Sequence, residues 1–309
     1  MTGRISYLNN LGCSIVTVTI NSKIYFCNNE DERRPKDGTF ILFVPPQEVP
    51  NKLILPDVEG TSEIYGFSLV GSKYDDGLYP QGGINSEGLS YDINGLPSVT
   101  LNKKKKGKQW KCTMNFFDLL WTNKTVKDII NWFETYEFPF PDSDVQIHFA
   151  DALGDAAILS TNKDNELVFT EKGNKKYLVS TNFNVVNTDN AYFYPCKRFD
   201  ATAEICEKLV KKNDVTVADC EEILKASHVE YKNEAGTLYS NIFDLNEKKI
   251  YLYHIGNFDQ RAEFNLAEEL IFKDVGSEVD KYTIAGYFKP LRYQFDGMRI
   301  YTISKLFEK

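Results

Sequence analysis

Residues 13–20, CSIVTVTI, the pair Asn21 and Ser22, and residues 23–31, KIYFCNNED, decide how this chain is read. β-Branched and aromatic residues fill both arms, and two turn-forming residues separate them, the pattern of a tight antiparallel hairpin. Cys13 opens the first arm directly after Gly12. Outward from this hairpin, strand-like runs recur at 39–44, 63–70, 144–150, 156–160, 166–170 and 176–180, punctuated by Gly, Asn and Asp. Helices interrupt them. Thr125 caps residues 126–136, with Asp128 in the first turn and Val126, Ile129, Ile130 and Phe133 on one face. Residues 199–212 and 217–226 form a helical pair, residues 237–255 a hairpin turning at Asn246 and Glu247, and 264–270, FNLAEEL, a last helix. Strands and helices are segregated along the chain, which favours an α+β fold over alternating parallel βαβ units. Without an internal repeat or a Pro- or Ser-rich linker, residues 13–309 read as one domain behind a leader, 1–12.

Composition narrows the function classes. A chain of 309 residues with 42% apolar residues can bury a large core. Every apolar stretch is broken well short of the roughly 18 residues that a membrane-spanning helix needs. The formal charge of −8 argues against a nucleic-acid partner. The basic run KKKKGK at 103–108 reads as a solvated loop tip. Six cysteines without a CxxC pair and only three histidines leave a zinc site little to build from, so no metal is expected. The even cysteine count permits disulfides, although Cys206 falls on the apolar stripe of a helix. Residues 1–12, MTGRISYLNNLG, lack the apolar region of a signal peptide. The protein is then cytoplasmic if this N-terminus is complete, and secreted or periplasmic if an export signal has been removed.

The usual catalytic motifs are missing. No GxSxG, GxGxxG or GxxxxGK[ST] element occurs, which sets aside α/β-hydrolase, dinucleotide and P-loop chemistry and leaves no cofactor to expect. His148 and His254 lie in strand-like segments and read as structural. There remains Cys13. If the Gly12–Cys13 bond is cut, one residue carries both a thiol and an α-amine, and an amine whose reference pKa is near 7.7–8.0 can act as base for its own thiol. Each residue also has a plainer reading. Cys13 alone is an ordinary strand cysteine, residues 28–31 a polar turn, Asn94-Gly95 a type I′ turn, Asn182 a strand terminator and Arg198 an exposed first-turn arginine.

Taken in order, four elements give the chain a resemblance to the choloylglycine hydrolase and penicillin acyltransferase families of N-terminal-nucleophile (Ntn) hydrolases. Cys13 is followed by Asn29, Glu30 and Asp31, similar to the acyltransferase-like pattern of Asn, any residue, Asp; then come residues 83–94, GINSEGLSYDIN, residues 177–184, YLVSTNFN, and residues 195–205, PCKRFDATAEI. Residues 236–258 resemble the closing strands of these enzymes. The resemblance implies a four-layer αββα sandwich and autocleavage between Gly12 and Cys13, with Cys13 as nucleophile. It implies that Asp31 holds the amine, that Asn29 orients the site, that Asn94 lies in the oxyanion hole, and that Asn182 and Arg198 complete a polar network. The implied reaction is hydrolysis of a linear, non-peptide C–N amide bond in a small N-acyl substrate through a thioester. Its alternatives are acyl transfer to an amine acceptor, or a catalytically silent binding protein on the same fold. Self-association into dimers or tetramers is implied as well. Tyr65, Phe67, Tyr74 and Tyr91 offer themselves as lining for an apolar acyl pocket, or as core.

Overall fold

The computed structural model describes residues 12–35, 38–54, 58–75, 77–103, 109–110, 116–138, 140–188, 193–271 and 295–308. Residues 1–11, most of the basic run and Cys112 lie outside the described residues. Among those described, the opening hairpin forms as read. Asn21 and Ser22 take the left-handed conformation, with φ of 50° and 59°, at the two central positions of a turn whose twist matches the flanking strands. Strand Ser14–Ile20 then pairs with Lys23–Arg33 from Ile20 opposite Lys23 to Ser14 opposite Asn29.

These two strands sit in a six-stranded antiparallel sheet ordered Tyr177–Ser180, Ser14–Ile20, Lys23–Arg33, Ala235–Asp244, Lys249–His254, Asn257–Asn265. A second antiparallel sheet of eight runs Leu167–Glu171, Ala156–Thr161, Asp142–Ala150, Ser90–Thr100, Gly77–Asn85, Phe67–Tyr74, Thr39–Val44, Arg299–Thr302. Both faces of each sheet are covered, and the side-chain period of two sorts the apolar residues accordingly. In Thr39–Val44, Phe40, Leu42 and Val44 pack with helices Leu119–Thr122 and Val126–Thr135, while Ile41 and Phe43 face the other sheet. In the first strand Ile15 faces the other sheet, and Val16 and Val18 pack under helices Lys197–Lys212 and Val217–Ser227. Three apolar seams therefore separate four layers in the order α, β, β, α, the sandwich that the motifs led one to expect.

Local signals set the helix ends. The Thr125 hydroxyl accepts from the Asp128 N–H at 3.1 Å while the Asp128 carboxylate accepts from the Thr125 N–H at 3.0 Å, and Thr216 with Asp219 repeats this box. Helix Lys197–Lys212 stops at Asn213, which is left-handed with φ 56°.

One expectation changes, and two of the plainer readings fall away. Residues 63–70 are not one strand: Thr61–Ile64 and Phe67–Tyr74 belong to different sheets. Between them the Tyr65 N–H donates to the Trp121 carbonyl at 2.9 Å, and a Cβ on Gly66 would stand 2.7 Å from Leu270 and 2.9 Å from Pro46. The local β pattern is intact, but helix packing breaks the ladder there. Asn94-Gly95 is no hairpin turn either. Both residues lie inside strand Ser90–Thr100, opposite Gln146 and Val145, because residues 142–150 offered a long partner that continued the ladder through them. Finally, residues 28–31 are not a polar turn but the buried middle of the second strand. No helix among the described residues is long and apolar enough to cross a membrane.

Candidate active site

Cys13 stands just before the first strand, its side chain 8% exposed. Continuing the hairpin register by one pair sets Cys13 opposite Glu30, and by two sets Gly12 opposite Asp31. Side chains directly opposite each other in an antiparallel pair share a face. The Cys13 thiol accordingly donates to Glu30 Oε2 at 3.3 Å, in the seam between the sheets. Asn29 and Asp31, on the alternate positions, face the helices.

That alternation separates the expected site residues. Asp31, Asn94, Asn182 and Arg198 gather around the Gly12–Cys13 peptide. Asn94 Nδ2 donates to the Cys13 carbonyl at 3.1 Å. Arg198 Nη1 donates to the Gly12 carbonyl, to Ser14 Oγ at 2.9 Å and to Asp31 Oδ2 at 3.4 Å, and its Nη2 donates to Asn182 Oδ1 at 3.2 Å. Asn182 closes the ring by donating from Nδ2 to the Gly95 carbonyl at 3.0 Å. Arg198 is thus not an exposed first-turn residue: it is the second residue of its helix and spans the gap from helix layer to strand ends. Asn29 is not brought to the thiol. Its Nδ2 donates to the Leu224 carbonyl at 2.9 Å and to Ser227 Oγ at 3.1 Å, and its Oδ1 accepts from Ser240 at 2.6 Å, so it fastens helix Val217–Ser227 to the sheet.

Burial dominates the electrostatics. It pushes the Cys13 thiol well up, and the carboxylates of Glu30, Asp31 and Asp92 push the same way. Glu30 rises well above the carboxylate range through burial and then through the charges of Asp92 and Glu32. Asp92 reaches about 8 for lack of solvent, opposed only by the Ile93 N–H, and its Oδ2 has no hydrogen-bond partner among the described residues. Asp31 is pushed to about 7 by burial even though Arg198, the Thr237 hydroxyl and the Val229 N–H all favour its charged form. Burial thus raises the proton affinity of each of these three carboxyls near the thiol.

Glu30, Asp92 and Thr237 were assigned no role from sequence. For Glu30 the signal was present, since a two-residue turn at Asn21 and Ser22 fixes the register that faces it to Cys13. Asp92 and Thr237 arrive from distant strands and carried no such signal. The aromatic residues divide: Phe67 and Tyr91 are core on the helix side of the eight-stranded sheet, away from the thiol, Tyr65 lies under Lys124, and Tyr74 donates to Glu32 at 3.1 Å, near the site. A cavity of about 350 Å³ is also on that far side, lined by residues such as Leu101, Phe133, Phe138 and Phe169. His148 is held between the Thr17 and Ser180 hydroxyls, at 3.0 Å from each, and burial lowers it to about 3, which makes it a neutral structural ring. Cys206 is buried and free, as are the four other described cysteines.

No protein-family model matches the chain, and no curated protein matches it in sequence. Solved structures do match. A cysteine-to-alanine mutant of conjugated bile acid hydrolase from Clostridium perfringens superimposes with a TM-score of 0.59 at 14% identity, covering 92% of this chain and 98% of that one. An arginine-to-leucine variant of the same hydrolase gives 0.60 at 15%, with the same coverage. Penicillin V acylase from Agrobacterium tumefaciens gives 0.61 at 14%, covering 85% of this chain and 89% of its own. The chain has their fold. Reached from strand order and packing alone, that fold agrees with the resemblance drawn from the four motifs.

Proposed function

We propose that this chain is an Ntn cysteine hydrolase that cleaves a linear, non-peptide C–N amide bond in an N-acyl substrate after residues 1–12 are removed, with residues 13–309 as its single domain. The observation that carries the reading is the convergence of Asn94, Asn182, Arg198 and Asp31 on the peptide joining Gly12 to Cys13, on a fold shared with two amide-cleaving enzymes. Cutting that bond frees an α-amine beside Asp31. The amine then takes the thiol proton, Sγ attacks the substrate carbonyl, and the Asn94 side-chain amide donates to the oxyanion. The amine returns the proton to the leaving nitrogen, and water hydrolyses the thioester.

Acyl transfer to an amine is the second reading, favoured by the acyltransferase-like spacing at Asn29 and Asn94. Product analysis with and without an added amine acceptor separates the two. The first reading is tested by intact mass and N-terminal sequencing beside Cys13→Ala. A start at Cys13 in the parent and a retained leader in the mutant is the expected result; a leader retained in both sinks the proposal and leaves the binding protein.

A further inference from the structure

In the mature enzyme the α-amine is the base, and Glu30 has no task. Yet Glu30 is the side chain that meets the thiol, at 3.3 Å, and it is 3% exposed. Before the Gly12–Cys13 bond is cut, the future amine is an amide nitrogen whose lone pair is delocalised into the peptide bond, so it cannot accept a proton. Cutting the bond therefore needs a base that the mature mechanism does not supply.

We propose that Glu30 is this base, a catalytic residue for self-cleavage rather than for turnover; the inference rests on the function proposed above. Glu30 Oε2 takes the Sγ proton, and Sγ attacks the Gly12 carbonyl carbon through a five-membered ring of Sγ, Cβ, Cα, N and C. The oxyanion forming on Gly12 accepts from Arg198 Nη1, already hydrogen-bonded to that oxygen. The C–N bond breaks as Glu30 gives its proton to the departing Cys13 nitrogen, leaving a thioester between Gly12 and Sγ. Water hydrolyses the thioester, releasing a Gly12 carboxylate and restoring the thiol.

Two features on either side of the thiol fit this role. A Cβ on residue 12 would stand 2.0 Å from Asn182 Oδ1 and 2.9 Å from Arg198 Nη2, so a larger residue there would push both side chains back from the carbonyl under attack. On the other side, burial and the Asp92 and Glu32 charges raise the proton affinity of Glu30, which makes it a stronger base than an exposed carboxylate.

The test follows loss of residues 1–12 by intact mass after refolding the full chain from denaturant. Cleavage in the parent is expected to be unimolecular, with Glu30→Gln slower by about 100-fold or more. A second variant, Glu30→Met with Asp92→Asn, exchanges the two buried carboxyls for neutral groups of similar size and so removes the cost of burying their charges. The same slowing is expected there, with near-UV circular dichroism reporting the fold. Cleavage within about two-fold of the parent in either folded variant overturns the role of Glu30 and leaves the hydrolase reading standing. A parent that never cleaves overturns both.

Discussion

The second strand, Lys23–Arg33, has two halves buried to the same depth and opposite in character. Ile24, Tyr25, Phe26 and Cys27 are apolar or aromatic; Asn28, Asn29, Glu30 and Asp31 are amides and carboxyls; all eight lie between 0% and 7% exposed. Burying an aliphatic or aromatic side chain gains about 1.5–3 kcal/mol, whereas burying an unpartnered polar group costs roughly 1–3 kcal/mol. Asn28 has no hydrogen-bond partner on either amide atom, and nearby Asn94 Oδ1 and Asp92 Oδ2 are also without one among the described residues. Asn29 fastens a helix to the sheet, but folding alone gives no reason to bury the unpartnered groups. The apolar half holds the strand in place, and the polar half uses that rigidity to hold groups that would otherwise be hydrated.

The contrast can be broken first at Phe26, which packs edge-on to His148 with ring centroids 5.4 Å apart. Phe26→Ala should cost about 3–5 kcal/mol in urea unfolding; a cost below about 1 kcal/mol would mean that the apolar half is not the anchor. Beside the polar half, at Asn94 of strand Ser90–Thr100, whose amide meets the Cys13 carbonyl, the effect moves from stability to rate. Asn94→Ala should lower kcat on an N-acyl amide by roughly 100- to 1,000-fold, about 3–4 kcal/mol of transition-state stabilisation, with little change in the urea midpoint. Equal rates would remove Asn94 from the chemistry.

His148 sharpens the comparison through pH. Neutral in the fold, with its pKa lowered to about 3, it takes a proton in the unfolded chain below about pH 6.5. Its contribution is therefore complete above that pH and is lost as pH falls toward 3. The stability difference between the parent and His148→Gln should shrink by about 2 kcal/mol from pH 7 to pH 5; a difference that stays flat would show that the ring is charged or hydrated in the fold. The smallest effect is expected at Asn28, where Asn28→Leu should stabilise by about 1 kcal/mol, since it removes two unpartnered polar atoms from the seam. Destabilisation instead would reveal partners for that amide.

Much of this molecule can be read locally. The turn at Asn21 and Ser22, the Thr125 capping box and the apolar periodicity are short-range devices, and each forms as its residues suggest. Two local signals mislead for one reason. Tyr65–Gly66 and Asn94–Gly95 carry local signals that tertiary partners override, in one case Trp121, Pro46 and Leu270, in the other the strand Asp142–Ala150. At the site, Cys13, Asp31, Asn94, Asn182 and Arg198 were legible as motifs in order along the chain, while the direction of each side chain was not. Asn29 illustrates this, sharing a motif with Asp31 yet bonded into a helix.

By itself the sequence determined the hairpin, its register and hence the Cys13–Glu30 pairing, because a two-residue turn and a side-chain period of two leave no freedom once the strands form. What only the tertiary structure decided is the environment of that pair. Asp92 comes from the opposite sheet and Arg198 from a helix late in the chain. Proton affinities depend on desolvation and on charges brought close through space, which adjacency along the chain does not encode.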